Sequence, residues 1–162
     1  MSKNTSQLES NAQSELPSPA PLSKPQPATW EVKEPTVTED RTPHQDKFSL
    51  GSIQSWYMVG ASRRGKLHEH EGTFREDAFR FAKEAGWYLI AVADGAGSHH
   101  LSRVGSNLAA TVAIETMEKI VENHDNPPSV PTARMALQDA LAQAWRALWD
   151  EAEKRKIDFK DL

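Results

Sequence analysis

Trp87-Tyr88-Leu89-Ile90-Ala91-Val92-Ala93-Asp94-Gly95-Ala96-Gly97 is the stretch on which the fold turns. From Trp87 to Ala93 it carries no charge, and such a run reads as a strand covered on both faces, hence the centre of a sheet. It stops on a carboxylate followed by glycines. A carboxylate at the mouth of a buried strand is costly to desolvate unless a cation or a donor compensates it, and hard divalent cations take oxygen ligands of this kind. Asp94-Gly95 also suits a plain structural turn, so at this point both readings stand. Gly95 and Gly97 leave room for backbone to approach a ligand.

Upstream lies a second acidic cluster, Arg75-Glu76-Asp77-Ala78-Phe79. Phe74 to Ala82 alternates in part and predicts a strand that starts at the acidic pair, with Glu84-Ala85-Gly86 as a tight connection to the apolar strand. Charge pairs are common at strand ends, so this cluster alone has a surface reading as well. Earlier still, from about Phe48, the residues Ile53, Trp56, Tyr57, Met58 and Val59 predict one further strand that ends at Gly60-Ala61-Ser62. Arg63 to Thr73 is polar and without a sustained period, which predicts a loop.

Downstream, Val104, Leu108, Val112, Thr116 and Ile120 recur every four residues beside Ala109, Ala113 and Met117, predicting an amphipathic helix over about 102–123. Asn126-Pro127-Pro128 breaks it. Ser129 or Thr132 can cap a second helix, whose apolar face is read as Leu137, Leu141, Ala144, Leu148 and Ala152, widened by Trp145 and Trp149. The expected architecture is α/β, strands followed by two antiparallel helices on one sheet face.

Composition bounds the rest. Pro17, Pro19, Pro21, Pro25, Pro27, Pro35 and Pro43 crowd the start of the chain among Ser, Gln, Thr and Glu. Residues 1–47 therefore read as a disordered tail, too poor in apolar surface to offset its ordering entropy, and residues 48–162 as the folded unit. The net charge of −4 and the lack of a basic, aromatic-interleaved cluster argue against nucleic acid as a partner. No cysteine is present, which excludes thiolate nucleophiles, disulfides and sulfur-ligated zinc and fits a cytoplasmic location. No run approaches the roughly 18 apolar residues of a membrane span.

Taken together, Gly60-Ala61-Ser62, His68, Gly72, Glu76-Asp77-Ala78-Phe79, Val92 to Ser98 and Gly105 resemble the metal-dependent serine/threonine protein phosphatases of the PPM (type 2C) superfamily, bacterial branch. The resemblance implies a partial αββα sandwich and, in the complete family site, two magnesium or manganese ions. It implies that Asp94 bridges the metals, that Glu76 is a ligand of one of them, that Gly95 offers its carbonyl, and that Asp77 orients metal-bound water. Phosphoserine or phosphothreonine in a protein would be the substrate. Many members carry a phosphate-gripping arginine four residues before the glutamate, where this chain has Gly72. His68 is then a candidate catalytic residue, and Arg75 and Arg63 are candidates for the substrate phosphate. The histidine found after Asp-Gly in many members is Ala96 here, with His99 and His100 close by.

Family members continue with further strands that bring additional aspartates, and Asp158-Phe159-Lys160-Asp161-Leu162 resembles the approach to the next of these. The sequence thus reads as the N-terminal part of such a domain, with association with another chain as one way to complete it. Two other readings stand beside the phosphatase: a noncatalytic fragment or pseudophosphatase acting as a binding module, and an unrelated small α/β domain with a structural Asp-Gly turn.

Overall fold

The computed structural model of the chain describes residues 29–53, 56–123 and 129–162. The decisive stretch forms a strand over Trp87–Ala93 (β4), paired antiparallel with Ala78–Glu84 (β3). Between them Ala85 and Gly86 both have positive φ, 46° and 79°. Two such residues make the primed turn whose twist matches that of the flanking strands, so Glu84 faces Trp87 and every pair out to Ala78 and Ala93 follows in step. β3 starts after the acidic pair, not at it, which leaves Glu76 and Asp77 at the entry to the strand.

The apolar run from Phe48 to Val59 is two strands where the sequence predicts one. Gln45–Ile53 (β1) pairs antiparallel with Trp56–Arg63 (β2), and Gly51 and Ser52 interrupt the apolar pattern where the register slips between Leu50 and Ile53. The two hairpins are separate two-stranded sheets. They meet through aromatic rings: the Phe48 ring of β1 lies 5.0 Å from that of Phe81 on β3, which in turn lies 5.4 Å from its strand neighbour Phe79. Gly60 of β2 sits against the Phe79 and Phe81 rings, with no space there for a Cβ.

Lys66–Glu71 (α1) is a short helix in the segment predicted to be a loop. Six residues are under two turns, too few for a 3.6-residue period to show in the sequence. Two long helices follow, Ser102–Glu122 (α2) and Val130–Arg155 (α3). α2 lies on both β3 and β4, and α3 packs on α2. Ala82 and Leu89 from the sheet, Ile114, Met117 and Val121 from α2, and Ala136 and Ala140 from α3 form the core. Ser129 caps α3 as expected, its hydroxyl oxygen accepting from the Thr132 N–H at 3.3 Å. The expected break at Asn126-Pro127-Pro128 lies outside the described residues.

Three faces differ from expectation. On α2 the expected Met117 is buried and Ala113 and Ile120 pack against the core, but the fully buried line runs through Ala110, Ile114 and Val121, because this helix is covered by the sheet on one side and by α3 on another. On α3 the expected Ala144 and Ala152 are buried, but their line continues through Ala136 and Ala140, while Leu137, Leu141, Trp145 and Trp149 are exposed. One residue is 100° of helix rotation, and the alanines admit the close approach to α2 that leucines would block. On β4 Trp87, Leu89 and Ala91 face the helical core, but Ile90 and Val92 are exposed, so among the described residues this strand is covered on one face.

The layers run β1–β2 sheet, β3–β4 sheet, α2, α3, an α/β arrangement that matches part of a PPM-type sandwich. The compositional boundary at Lys47 falls inside β1. Residues 29–44 form an extended arm joined to the domain by hydrogen bonds, and residues 1–28 of the expected tail lie outside the described residues. No helix among the described residues is long and apolar enough to cross a membrane.

Candidate metal centre

The open end of the β3–β4 hairpin brings the two acidic clusters together. Ala78 and Ala93 are its last paired residues, so Asp77 and Asp94 come next on opposite strands. Alternation along a strand sends both to the same face, and both line a cleft of about 440 Å³ together with Ser62, Phe79 and Val92. The Gly95 N–H donates to Asp77 Oδ1 at 3.4 Å, a long bond that ties the loop after β4 to the entry of β3.

Glu76, one residue earlier, turns to the other face. It lines a second cleft, of about 230 Å³, with Gly97, His99 and His100. Its Oε2 is 3.8 Å from His68 Nε2, and His68 Nδ1 is 2.8 Å from the Thr73 hydroxyl. The Ser106 hydroxyl of α2 donates to the Glu76 carbonyl, which fixes the backbone of the acidic pair against the helix. On the other side of that peptide the chain passes Gly95 so closely that a Cβ there would lie 2.5 Å from the Glu76 carbonyl oxygen. Glycine at 95 is therefore a steric requirement of the site.

The two arginines considered for the substrate phosphate are placed differently. Arg75 is 2% exposed, donates from Nε to the Pro43 carbonyl at 3.2 Å and faces Asp46 at 3.7 Å. Its guanidinium holds the N-terminal arm. Arg63 is exposed and pairs with Glu69 at 3.3 Å. His68 is thus brought next to Glu76, whereas Arg75 and Arg63 are engaged elsewhere. Thr73 and Ser106 enter the site without any signal in the sequence, since one hydroxyl among many carries no pattern. The opposition of Asp77 and Asp94 did have one: the two-residue turn at Ala85-Gly86 fixes the register that pairs them.

Asp77, Asp94 and the backbone carbonyl at Gly95 are oxygen donors, the kind that suits magnesium or manganese. Among the described residues no three His, Cys, Asp or Glu side chains come together to hold a metal ion by themselves. Magnesium is commonly held by one or two carboxylates, with waters and phosphate oxygens as its other ligands, so the pair fits such an ion in kind and meets that smaller requirement in number.

No curated protein and no solved structure matches the chain. The family model described as Protein phosphatase 2C matches residues 64–162, from the residue after β2 through both acidic clusters and both long helices, well over half of the sequence; the chain belongs to the protein phosphatase 2C family.

Proposed function

We propose that this chain serves metal-dependent hydrolysis of phosphoserine and phosphothreonine in proteins, with Asp94 and Asp77 holding magnesium or manganese at the open end of the β3–β4 hairpin. The observation that carries the reading is the convergence of these two carboxylates on one cleft. When bound, such a cation supplies charge to the phosphate oxygens and a water acidic enough to act at neutral pH. The chain's own residues do the positioning. Asp94 is delivered by the end of β4 and Asp77 is oriented by the Gly95 N–H, while Gly95 holds the loop against the Glu76 peptide and is the proposed source of a carbonyl donor. In the neighbouring cleft His68 lies 3.8 Å from Glu76 and His99 shares the lining, which supports a role for this group in holding or passing a proton at a leaving hydroxyl. The bacterial branch to which the sequence motifs point, and the second ion of the family site, belong to this proposal.

One observation favours a second reading, a binding module without turnover: among the described residues no third carboxylate or imidazole joins the pair. Calorimetry with manganese beside a phosphothreonine-peptide assay separates the two. Binding with turnover that is lost in Asp94→Asn supports the enzyme. Binding of a phosphopeptide without turnover supports the module, and failure to bind metal sinks the metal-dependent reading of this chain.

A further inference from the structure

Residues 33–44 have the composition of a linker but are held like a strap. The Lys33 N–H donates to the Glu69 carbonyl at 2.7 Å and Arg64 Nη2 donates to the Lys33 carbonyl at 2.9 Å. Further along, Arg103, itself 8% exposed, donates from Nε to the Asp40 carbonyl at 2.9 Å. At the far end Arg75 holds the Pro43 carbonyl. Three buried arginines thus grip the arm through its backbone, a use that is blind to the arm's side chains and so leaves no motif. Side chains add to this grip: Arg64 Nη1 lies 3.3 Å from His44 Nε2, and the ionic clasp is Arg155, at the end of α3, which makes a bidentate pair with Asp40 at 2.7 and 2.9 Å. Between these anchors Pro35 and Val37 line the same small cleft as Glu76 and His99.

We propose that this strap is a specificity element of the Glu76 cleft, restricting which phosphorylated substrates reach it. The substrate part rests on the phosphatase reading given above; the strap itself does not. The cleft's volume of about 230 Å³ lies below the ~300–1,000 Å³ of sites that enclose a drug-sized ligand, so a peptide whose leaving hydroxyl enters beside His68 and His99, with its phosphate toward Asp77 and Asp94, requires the wall formed by Pro35 and Val37 to move. A small aryl phosphate requires less.

Asp40→Asn tests this in the full chain. Asp40 sits at φ 48°, a conformation that asparagine tolerates, so the substitution removes the charge of the clasp and keeps its shape. Two readouts need no activity: the rate of trypsin cleavage after Arg41, beside the buried Thr42, and the rate of His99 acylation by diethyl pyrocarbonate, located by mass spectrometry. Both rise, by up to about fivefold, if the strap covers the cleft. A second variant, Val37→Ser, cuts back the wall and leaves the clasp intact; it raises His99 acylation while tryptic cleavage stays at the wild-type rate. Unchanged acylation of His99 in both variants overturns the strap. Hydrolysis of p-nitrophenyl phosphate and of a phosphothreonine peptide is measured alongside. A larger gain for the peptide supports the specificity role, and equal changes overturn it. Absence of turnover in every protein overturns the phosphatase reading and the substrate part with it, while acylation and cleavage still decide the strap.

Discussion

Asp77 and Asp94, seventeen positions apart in sequence, stand opposite each other one step beyond the last paired residues of the β3–β4 hairpin and open on one cleft, while Glu76 opens on another. Two carboxylates on one face repel each other in the absence of a cation and hold one jointly in its presence. Asp94→Asn and Asp77→Asn are each expected to weaken manganese binding by about tenfold or more, on the scale seen when groups at a metal site are removed. Both variants are expected to fold without metal, because asparagine keeps the shape and at position 77 still offers an Oδ1 to the Gly95 N–H. Glu76→Gln has the smaller effect on manganese. Calorimetry on the three variants checks the order; an effect of Glu76→Gln larger than that of Asp77→Asn would reverse the roles argued for the two neighbours.

Gly95→Ala tests the site's dependence on close backbone approach. The added methyl meets the Glu76 carbonyl at 2.5 Å, a backbone atom that the Ser106 hydroxyl already holds from α2. Neither partner can swing away as a flexible side chain would. The expected cost is about 1–3 kcal/mol, the usual range for overpacking, with loss of manganese binding even though no candidate ligand side chain is touched. Thermal unfolding and metal titration of the same variant read the two effects. A stability equal to that of the parent chain would mean that the loop after β4 is free to retreat.

What the sequence made legible is what local pattern controls. The strand Trp87–Ala93, the turn at Ala85-Gly86, the cap at Ser129 and the placement of Asp94 at a strand mouth all follow from neighbours within a few residues. What it hid is set by tertiary partners. Ala136 and Ala140 carry no more hydrophobic signal than any alanine, yet they pack in the core with α2, and the stronger signal of Leu137 and Leu141 points outward. The arm at 33–44 was invisible for a different reason: arginines far along the chain bind its carbonyls, and every residue has a carbonyl. The sequence likewise put Glu76 and Asp77 together as one acidic pair, but alternation along the strand divides them between two clefts.

The rotation of α3 gives its own prediction. Ala140 is 3% exposed in the core against α2, and Leu141 beside it is 73% exposed. Ala140→Leu is expected to destabilise the chain by about 1–3 kcal/mol through overpacking, whereas Leu141→Ala changes stability by about 0.5 kcal/mol or less, as at ordinary surface positions. Denaturant titration of the pair decides it. The opposite order would restore the leucine stripe as the face that packs.

The clasp between Asp40 and Arg155 predicts how stability depends on pH. Hydrogen bonds from the Arg155 guanidinium hold the Asp40 carboxyl below the usual carboxylate range, against a smaller opposing effect of burial. Glu151, which accepts from Arg155 Nε at 2.6 Å, is lowered for the same reason, with Lys154 adding to it. A carboxyl that is more acidic in the folded than in the unfolded chain contributes stability above its unfolded value and loses it as pH falls through the folded one. The Asp40 contribution is therefore constant between about pH 5 and 8 and declines below about pH 4. The pair is partly exposed, so solvent screening limits it to about 1 kcal/mol or less. Comparing Asp40→Asn with the unsubstituted chain by urea unfolding should show that difference at pH 7 and a shrinking one toward pH 3, and 1 M sodium chloride should reduce the pH 7 value because exposed charges are screened. A difference independent of both pH and salt would show that the arm is held by its arginine-bound carbonyls alone, with the Asp40 carboxylate adding nothing.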